Sequence, residues 1–576
     1  MKKKNKGVHM KKPIIEFKDF SVHYIVQEEK TLKNINLTIY EGEKVLIVGP
    51  SGSGKSTIAH CINGLIPFSY ETDISGSLKI DGKETKNMSV FELSKKVGTV
   101  LQDPDSQFIG LTVGEDIAFK LENDCVPKEE MRNMVEKVAE VVDISSHINV
   151  APHRLSGGQK QRVTLAGTIV DDVDILLFDE PLASLDPKAG KTSIDLIDKI
   201  QKTSNKTILI VEHRLEDVLY KNVDRIIVMN EGEVIADTTP DELLASNLLK
   251  DCGIREPLYI TALKYAGCKI TKDVKASNIN TINLDNYKDK LKNWYEDEAE
   301  VLEEKEENPI LEFKNVSFGY SKESKILKDM SFSINKGDMI SIVGKNGAGK
   351  STISKLICGF YKENSGDILF NGKSLKGYTI KERAEHIGMV MQNPNQMISK
   401  TMIFDEVALG LKVRGVSEKE IEERVFETLK ICGLYEYRNW PISALSYGQK
   451  KRVTIASILV LNPEIIILDE PTAGQDFRRY NEIMEFLLKL NKRGITIIMI
   501  THDMHLMLEY TDRAIVIASG CKLAEDTSVN ILTNKNLIEV ASLKETSLYE
   551  LAIKIGINNP RSFVNKFINY DRRGRS

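Results

Sequence analysis

Along this chain apolar residues gather in short, nearly unbroken runs: VLIV (45–48), ILLF (175–178) and ILIV (208–211), then ISIV (340–343), IIIL (465–468) and IIMI (497–500). Runs of four without polar alternation predict strands buried on both faces, as in a parallel sheet covered by helices. Longer mixed stretches, such as KQRVTLAGTIV (160–170) and KKRVTIASILV (450–460), read as helices. Near the end, Leu548, Leu551, Ala552 and Ile555 fall at helical spacing and predict a small helical tail. No apolar run approaches the ~18 residues needed to span a bilayer.

The runs come in two sets because the chain repeats itself. GPSGSGKST (49–57) recurs as GKNGAGKST (344–352), TVLQDP as MVMQNP, LSGGQ (155–159) as LSYGQ (445–449), ILLFDEP as IIILDEP, and IVEHR as MITHD. Lys55 and Lys350 lie 295 positions apart, whereas Gln102 and Gln392, Ser156 and Ser446, and Asp179 and Asp469 lie 290 apart. The first copy therefore holds five extra residues between its first two motifs, expected around 66–75. Repeats of this length set the domain count before any other consideration. The chain of 576 residues divides into a first domain at 13–250, a linker at 251–308, a second domain at 309–540 and the tail at 541–576. The linker ends in EDEAEVLEEKEE (296–307), an acidic run expected to be solvated.

Each GxxxxGK[ST] follows an apolar run and precedes a helix-like stretch, the context a phosphate cradle needs. Glycines let backbone N–H groups converge on the β- and γ-phosphates, and the helix presents its positive end to the anion. The candidate cradles are Gly49, Ser51, Gly52, Gly54, Lys55, Ser56 and Thr57, and Gly344, Asn346, Gly347, Gly349, Lys350, Ser351 and Thr352. Lys55 and Lys350 neutralise phosphate charge, and the Ser56 and Ser351 hydroxyls suit Mg2+. At the C-terminal ends of buried strands, Asp179 and Asp469 are placed to reach Mg2+, and Glu180 and Glu470 to polarise the attacking water. His213 and His502 end further apolar strands, where a histidine can hold a γ-phosphate. Ser156, Gly157, Gly158 and Gln159, and Ser446, Gly448 and Gln449, each open a helix, making a second anion site of a capping serine and backbone N–H groups.

P-loops serve many nucleotidases, but LSGGQ between a P-loop and a downstream DE strand resembles the ABC ATPase superfamily. That resemblance implies an α/β fold in duplicate: each copy a P-loop domain with a RecA-like parallel-sheet core, an antiparallel β subdomain and an α-helical subdomain. It implies ATP and Mg2+ as cofactors and an intramolecular pairing of the two ATPase domains, each nucleotide shared between one P-loop and the other signature helix. Lys55, Ser56, Gln102, Asp179, Glu180 and His213 would then work with Ser446, Gly448 and Gln449, and Lys350, Ser351, Gln392, Asp469, Glu470 and His502 with the 156–159 turn. The resemblance also makes Gln102 and Gln392 metal ligands, Tyr24 and Tyr320 adenine-stacking aromatics, and Asp186 and Asp476 part of a signalling loop. One departure is Tyr447 where the family usually has Gly; its ring is expected to slow the site that it completes.

The stretches QDPDSQFIGLTVGEDIAF and QNPNQMISKTMIFDEVAL, with second glutamines Gln107 and Gln396, resemble energy-coupling-factor (ECF) importer ATPases, as do REPLYITALKYAG and the tail. This implies uptake of a vitamin or of cobalt or nickel, a transmembrane coupling subunit, a substrate-binding membrane subunit, and a place at the cytoplasmic side of the cell membrane. An ABC-F translation factor is the main alternative, and the ATPase of another importer class a further one. A net charge of −4 argues against a globally basic nucleic-acid binder, and the acidic linker against phosphate contact. Seven scattered cysteines without a CxxC pair predict free thiols in a reducing cytosol rather than a zinc site, and MKKKNKGVHMKK lacks the apolar stretch of a signal peptide.

Overall fold

All six apolar runs are strands with fully buried cores in the computed structural model, which describes residues 11–25, 27–183, 185–296, 308–321 and 325–575. Contacts divide the chain into two units, one built mainly of the residues up to Lys290 and one mainly of those from Leu291 onward.

In the first unit the strands are β1 (Pro13–Tyr24), β2 (Leu32–Tyr40), β3 (Lys44–Val48), β4 (Thr72–Ile80), β5 (Lys83–Glu84), β6 (Val97–Val100), β7 (Ile175–Asp179), β8 (Thr207–Val211), β9 (Arg225–Asn230) and β10 (Glu233–Thr238). They form a six-stranded sheet in the order β10-β9-β3-β8-β7-β6 and a four-stranded sheet in the order β2-β1-β4-β5. The larger sheet is parallel except for its edge strand β10, and the smaller is antiparallel. Burial on both faces explains why β3, β7 and β8 carry no polar alternation: every residue of the three is buried. Three helices, Val113–Asn123, Lys128–Val141 and Gly157–Ile169, lie in sequence between β6 and β7 and make the helical part.

The second unit repeats the plan with β11 (Pro309–Phe318), β12 (Leu327–Asn335), β13 (Met339–Val343), β14 (Ser365–Phe370), β15 (Lys373–Ser374), β16 (Ile387–Val390), β17 (Ile465–Asp469), β18 (Thr496–Ile500), β19 (Arg513–Ala518) and β20 (Cys521–Thr527). Its sheets run β16-β17-β18-β13-β19-β20 and β12-β11-β14-β15. The five extra residues of the first copy become the turn Leu65–Phe68 and a β4 of nine residues, against six in β14.

The expected linker needs correction. Residues 251–296 are a folded extension, with Leu258, Tyr259, Ile260, Ala262 and Leu263 of the helix Leu258–Tyr265 buried. Polar links fasten it: Tyr259 Oη donates to the Ala276 carbonyl at 2.7 Å, Asn278 Nδ2 to the Tyr220 carbonyl at 2.9 Å, and the Leu258 N–H to Glu216 at 2.9 Å. The repeat reaches further than its motifs, since Leu258-Tyr259 and Leu548-Tyr549 stand in the helices Leu258–Tyr265 and Ser547–Ile555, again 290 positions apart. Short amphipathic helices carry no chemical punctuation, so motif matching passes over them. Of the acidic run 296–307, only Glu296 lies within the described residues. The tail is helical as expected, with Leu548, Leu551, Ala552 and Ile555 turned inward and a second helix at Pro560–Arg575.

Candidate functional site

The two phosphate loops sit between β3 and the helix Lys55–Ile62, and between β13 and the helix Lys350–Ile357. Gly54 and Gly349 cap these helices at φ 96° and 103°, a left-handed backbone that leaves the first N–H groups open to an anion. Gly49 and Gly344 are required for a different reason: a Cβ would come 2.4 Å from the Met229 carbonyl oxygen in one and 2.0 Å from that of Ile517 in the other. Both lysines are buried and fold back on their own loops. Lys55 Nζ donates to the Gly49 and Pro50 carbonyls at 2.8 Å, and Lys350 Nζ to Gly344 at 2.8 Å and Lys345 at 3.1 Å. A phosphate would compete for ammonium groups already aimed along the loop. Burial pulls the Lys350 pKa down against the opposing pull of Glu470.

The acidic pairs stand where the buried strands end. Asp179 closes β7 and is 9% exposed; burial first, and Glu180 second, push its carboxyl up to about 6. Its Oδ1 is buried with no hydrogen-bond partner. Burial and Glu470 likewise raise Asp469, while a hydrogen bond from the Ser351 hydroxyl and the charges of Lys350 and Lys451 oppose them. The orphaned Asp179 oxygen in one half, and the Asp469 carboxylate with the Ser351 hydroxyl in the other, are hard oxygen donors that fit Mg2+.

Glu180 and Glu470 are held at φ 48° and 45°, a conformation that costs of order 1–3 kcal/mol in a non-glycine residue. Their carboxylates are fixed by neighbours. In the first unit His213 Nε2 lies 2.8 Å from Glu180 Oε1, and Gln102 Nε2 donates to Oε2 at 2.7 Å. In the second, His502 Nδ1 lies 2.7 Å from Glu470 Oε1, and Thr501 Oγ1 donates to Oε2 at 3.3 Å. Each histidine therefore stands on its glutamate. Sequence reasoning passed over one participant, Glu212. It is buried, accepts the N–H groups of Leu182, His213 and Arg214, and has a pKa raised by burial and then by Glu180. An acid beside the strand-end histidine, in VEHR, was the available signal; Thr501 holds the matching place in MITHD.

The signature serines cap their helices. The Gln159 N–H donates to Ser156 Oγ at 3.4 Å and the Ser156 N–H to Gln159 Oε1 at 2.9 Å; Ser446 and Gln449 repeat this at 3.3 and 2.9 Å. Each glutamine commits its side-chain oxygen to the cap, the Gln159 amide also reaching His147 Nε2 at 3.0 Å, while Gly157, Gly158 and Gly448 keep the turn unencumbered. Tyr24 ends β1, its ring edge-on to Tyr70 at 6.0 Å, and Tyr320 follows β11, edge-on to Tyr361 at 5.4 Å and 59% exposed. Tyr70 comes from the extra segment and was not anticipated.

A family model described as "ABC transporter" matches residues 32–183 and 327–473. This chain belongs to the ABC transporter ATP-binding family. A second model, described as "ATP-binding cassette cobalt transporter", matches residues 246–318, which include the folded extension. A putative ABC transporter ATP-binding protein of Clostridium perfringens is 71% identical, covering 98% of this chain and 100% of that protein. Another, from Enterococcus faecalis, is 59% identical over the same shares. The solved structure of cbiO1 from Clostridium perfringens, described as part of the ABC transporter complex cbiONQ, covers 45% of this chain and 99% of its own at 33% identity and a TM-score of 0.39. The ABC protein described here is thus an ATP-hydrolysing transporter subunit carrying two ATPase domains. Among its described residues no helix is long and apolar enough to cross a membrane.

Proposed function

We propose that this ABC ATPase drives an ECF-type importer of a vitamin or of cobalt or nickel, docked on a transmembrane coupling subunit at the cytoplasmic face of the membrane. The observation that carries the reading is the match of residues 246–318 to a cobalt-transporter family, in a segment outside the shared ATPase motifs. It agrees with the QDP and QNP stretches that follow Gln102 and Gln392. In this reading ATP occupies both phosphate loops. Lys55 and Lys350 hold its terminal phosphates, and Tyr24 and Tyr320 stack on adenine. Ser56, Gln102 and Asp179, with Ser351, Gln392 and Asp469, would hold Mg2+, which would supply charge screening for the transferred phosphoryl group. Glu180 and Glu470 orient the attacking water, and His213 and His502 keep those carboxylates in place while facing the γ-phosphate. The signature serines belong to the same machinery in this reading, so Ser156→Arg and Ser446→Arg should each impair hydrolysis.

Affinity purification of the full chain from detergent-solubilised membranes tests the transport role. Recovery of a small transmembrane subunit together with a substrate-binding membrane protein is expected. Sedimentation with ribosomes instead would sink the reading.

A further inference from the structure

The loop that leads from the edge strand β6 or β16 of the larger sheet into the helical part is fastened differently in the two halves. In the first, the loop following β6 is stapled to its own strand by Gln107, which accepts the Leu101 N–H at 2.9 Å and donates to the Thr99 carbonyl at 3.1 Å. The matching residue in the second half is Met397, whose sulfur stands 3.1 Å from the Met391 N–H, a weak acceptor with nothing to donate. The missing fastening comes from the signature helix Tyr447–Leu459. Lys451, 1% exposed, donates through Nζ to the Met391 carbonyl at 2.9 Å and the Gln392 carbonyl at 2.8 Å. Tyr447 Oη adds a bond to the same Gln392 carbonyl at 3.2 Å. In the first half the residue matching Lys451 is Gln161, which turns to the Pro181 carbonyl next to Glu180. The residue matching Tyr447 is Gly157, which has no side chain to offer.

We propose that Lys451, assisted by Tyr447, is a positioning residue that locks the main chain at Gln392 to the signature helix, so that in the second half the metal-side glutamine moves with that helix. The energetics favour a firm lock. A buried ammonium is costly unless its protons are bonded, and a cation donating to two carbonyls holds the loop more strongly than a neutral amide does. The first half ties the loop to its signature helix further along and only through side chains, Lys160 to Asp105 at 2.6 Å; the main chain at Gln102 answers to β6 through Gln107, and the Gln102 amide donates to Glu180. The departure from Gly at 447 then has a purpose within its own half. The inference rests on Gln392 being a metal ligand, as proposed above.

The test uses the full chain carrying Glu180→Gln, so that turnover reports the second half, and reads Mn2+ binding with a non-hydrolysable ATP analogue by electron paramagnetic resonance. Lys451→Gln, which installs the residue of the first half, is expected to weaken one of the two Mn2+ sites by about tenfold, the usual size for loss of a group that orients a ligand. The value of kcat should fall while KM for ATP stays within about twofold, because substrate contacts are untouched. Tyr447→Phe lies at the surface and removes one hydroxyl, so it folds even where a buried lysine cannot be replaced; it should shift Mn2+ binding in the same direction by a smaller factor. Gln392→Ala is the reference. If Gln392→Ala weakens Mn2+ binding and both Lys451→Gln and Tyr447→Phe leave it unchanged, the positioning role is overturned. If Gln392→Ala itself has no effect on Mn2+, the metal assignment fails and the inference falls with it.

Discussion

The two ATPase halves share a frame and differ in what surrounds it. Strand order, phosphate loops, acidic pairs and capped signature helices recur, yet the neighbours of those groups do not. The first half buries an ion pair between β3 and the helix Pro187–Ser204, Lys44 with Asp198 at 2.5 Å, both nearly inaccessible. At the matching places the second half has Met339, a member of its core, and Leu488, half-buried and packed against that core. Glu212 answers to Thr501, Gln161 to Lys451, and Gln107 to Met397. Duplicated chemistry therefore constrains the reacting groups tightly and their supports loosely, because a carboxylate can be fixed by several different donors.

Breaking that comparison should have its largest effect at the glutamates. Glu470→Gln and Glu180→Gln should each abolish most turnover in their own half, about a hundredfold or more for a lost water-orienting carboxylate. Steady-state ATPase assays should show the greater loss with Glu470→Gln, the outcome expected if the ring of Tyr447, where the family usually has Gly, makes the two sites unequal. A greater loss with Glu180→Gln would remove that ranking.

Next in size is the buried pair. Asp198→Asn leaves the Lys44 ammonium without its buried partner and should lower the stability of the first half by about 3 kcal/mol in urea titrations. The double change Lys44→Met with Asp198→Leu, which copies the second half, should recover all but about 1 kcal/mol. The same pair gives a pH signature. Burial alone would raise the Asp198 carboxyl, but hydrogen bonds from Lys202 and Lys44 outweigh it and hold the pKa below its ordinary 3.8. A depressed acid stabilises the fold above its unfolded pKa, and that contribution is lost as pH falls through the folded value. The first half should therefore lose stability on acidification below about pH 4, and the double variant should lose less.

Smaller again is Glu212→Gln, which weakens charge-assisted acceptance of three backbone N–H groups and should cost about 1.5 kcal/mol by thermal unfolding. Least of all, Lys160→Ala removes the exposed ion pair with Asp105 at 2.6 Å and should shift stability by less than about 1 kcal/mol.

Much of the site was legible because phosphate chemistry tolerates few alternatives. Lys55, Asp179 and Glu180 are spaced along the sequence as their strand ends require, and the structure brings each glutamate to its histidine. The extension at 251–296 was less visible, since its helices are held by apolar contacts that many sequences satisfy. Tyr70 was hidden in an insertion whose length alone could be read.

By itself the sequence determined the duplication, the buried parallel strands and the candidates for contact with phosphate, metal and water. It could do so because strand periodicity and motif spacing are local properties of the chain. Only the tertiary structure decided which neighbour steadies each of them: Gln102 on Glu180 but Thr501 on Glu470, Gln107 under one loop but Lys451 under the other. Those pairings join residues far apart in sequence, and a hydrogen bond of about 3 Å depends on how helix and sheet pack, which no local pattern encodes.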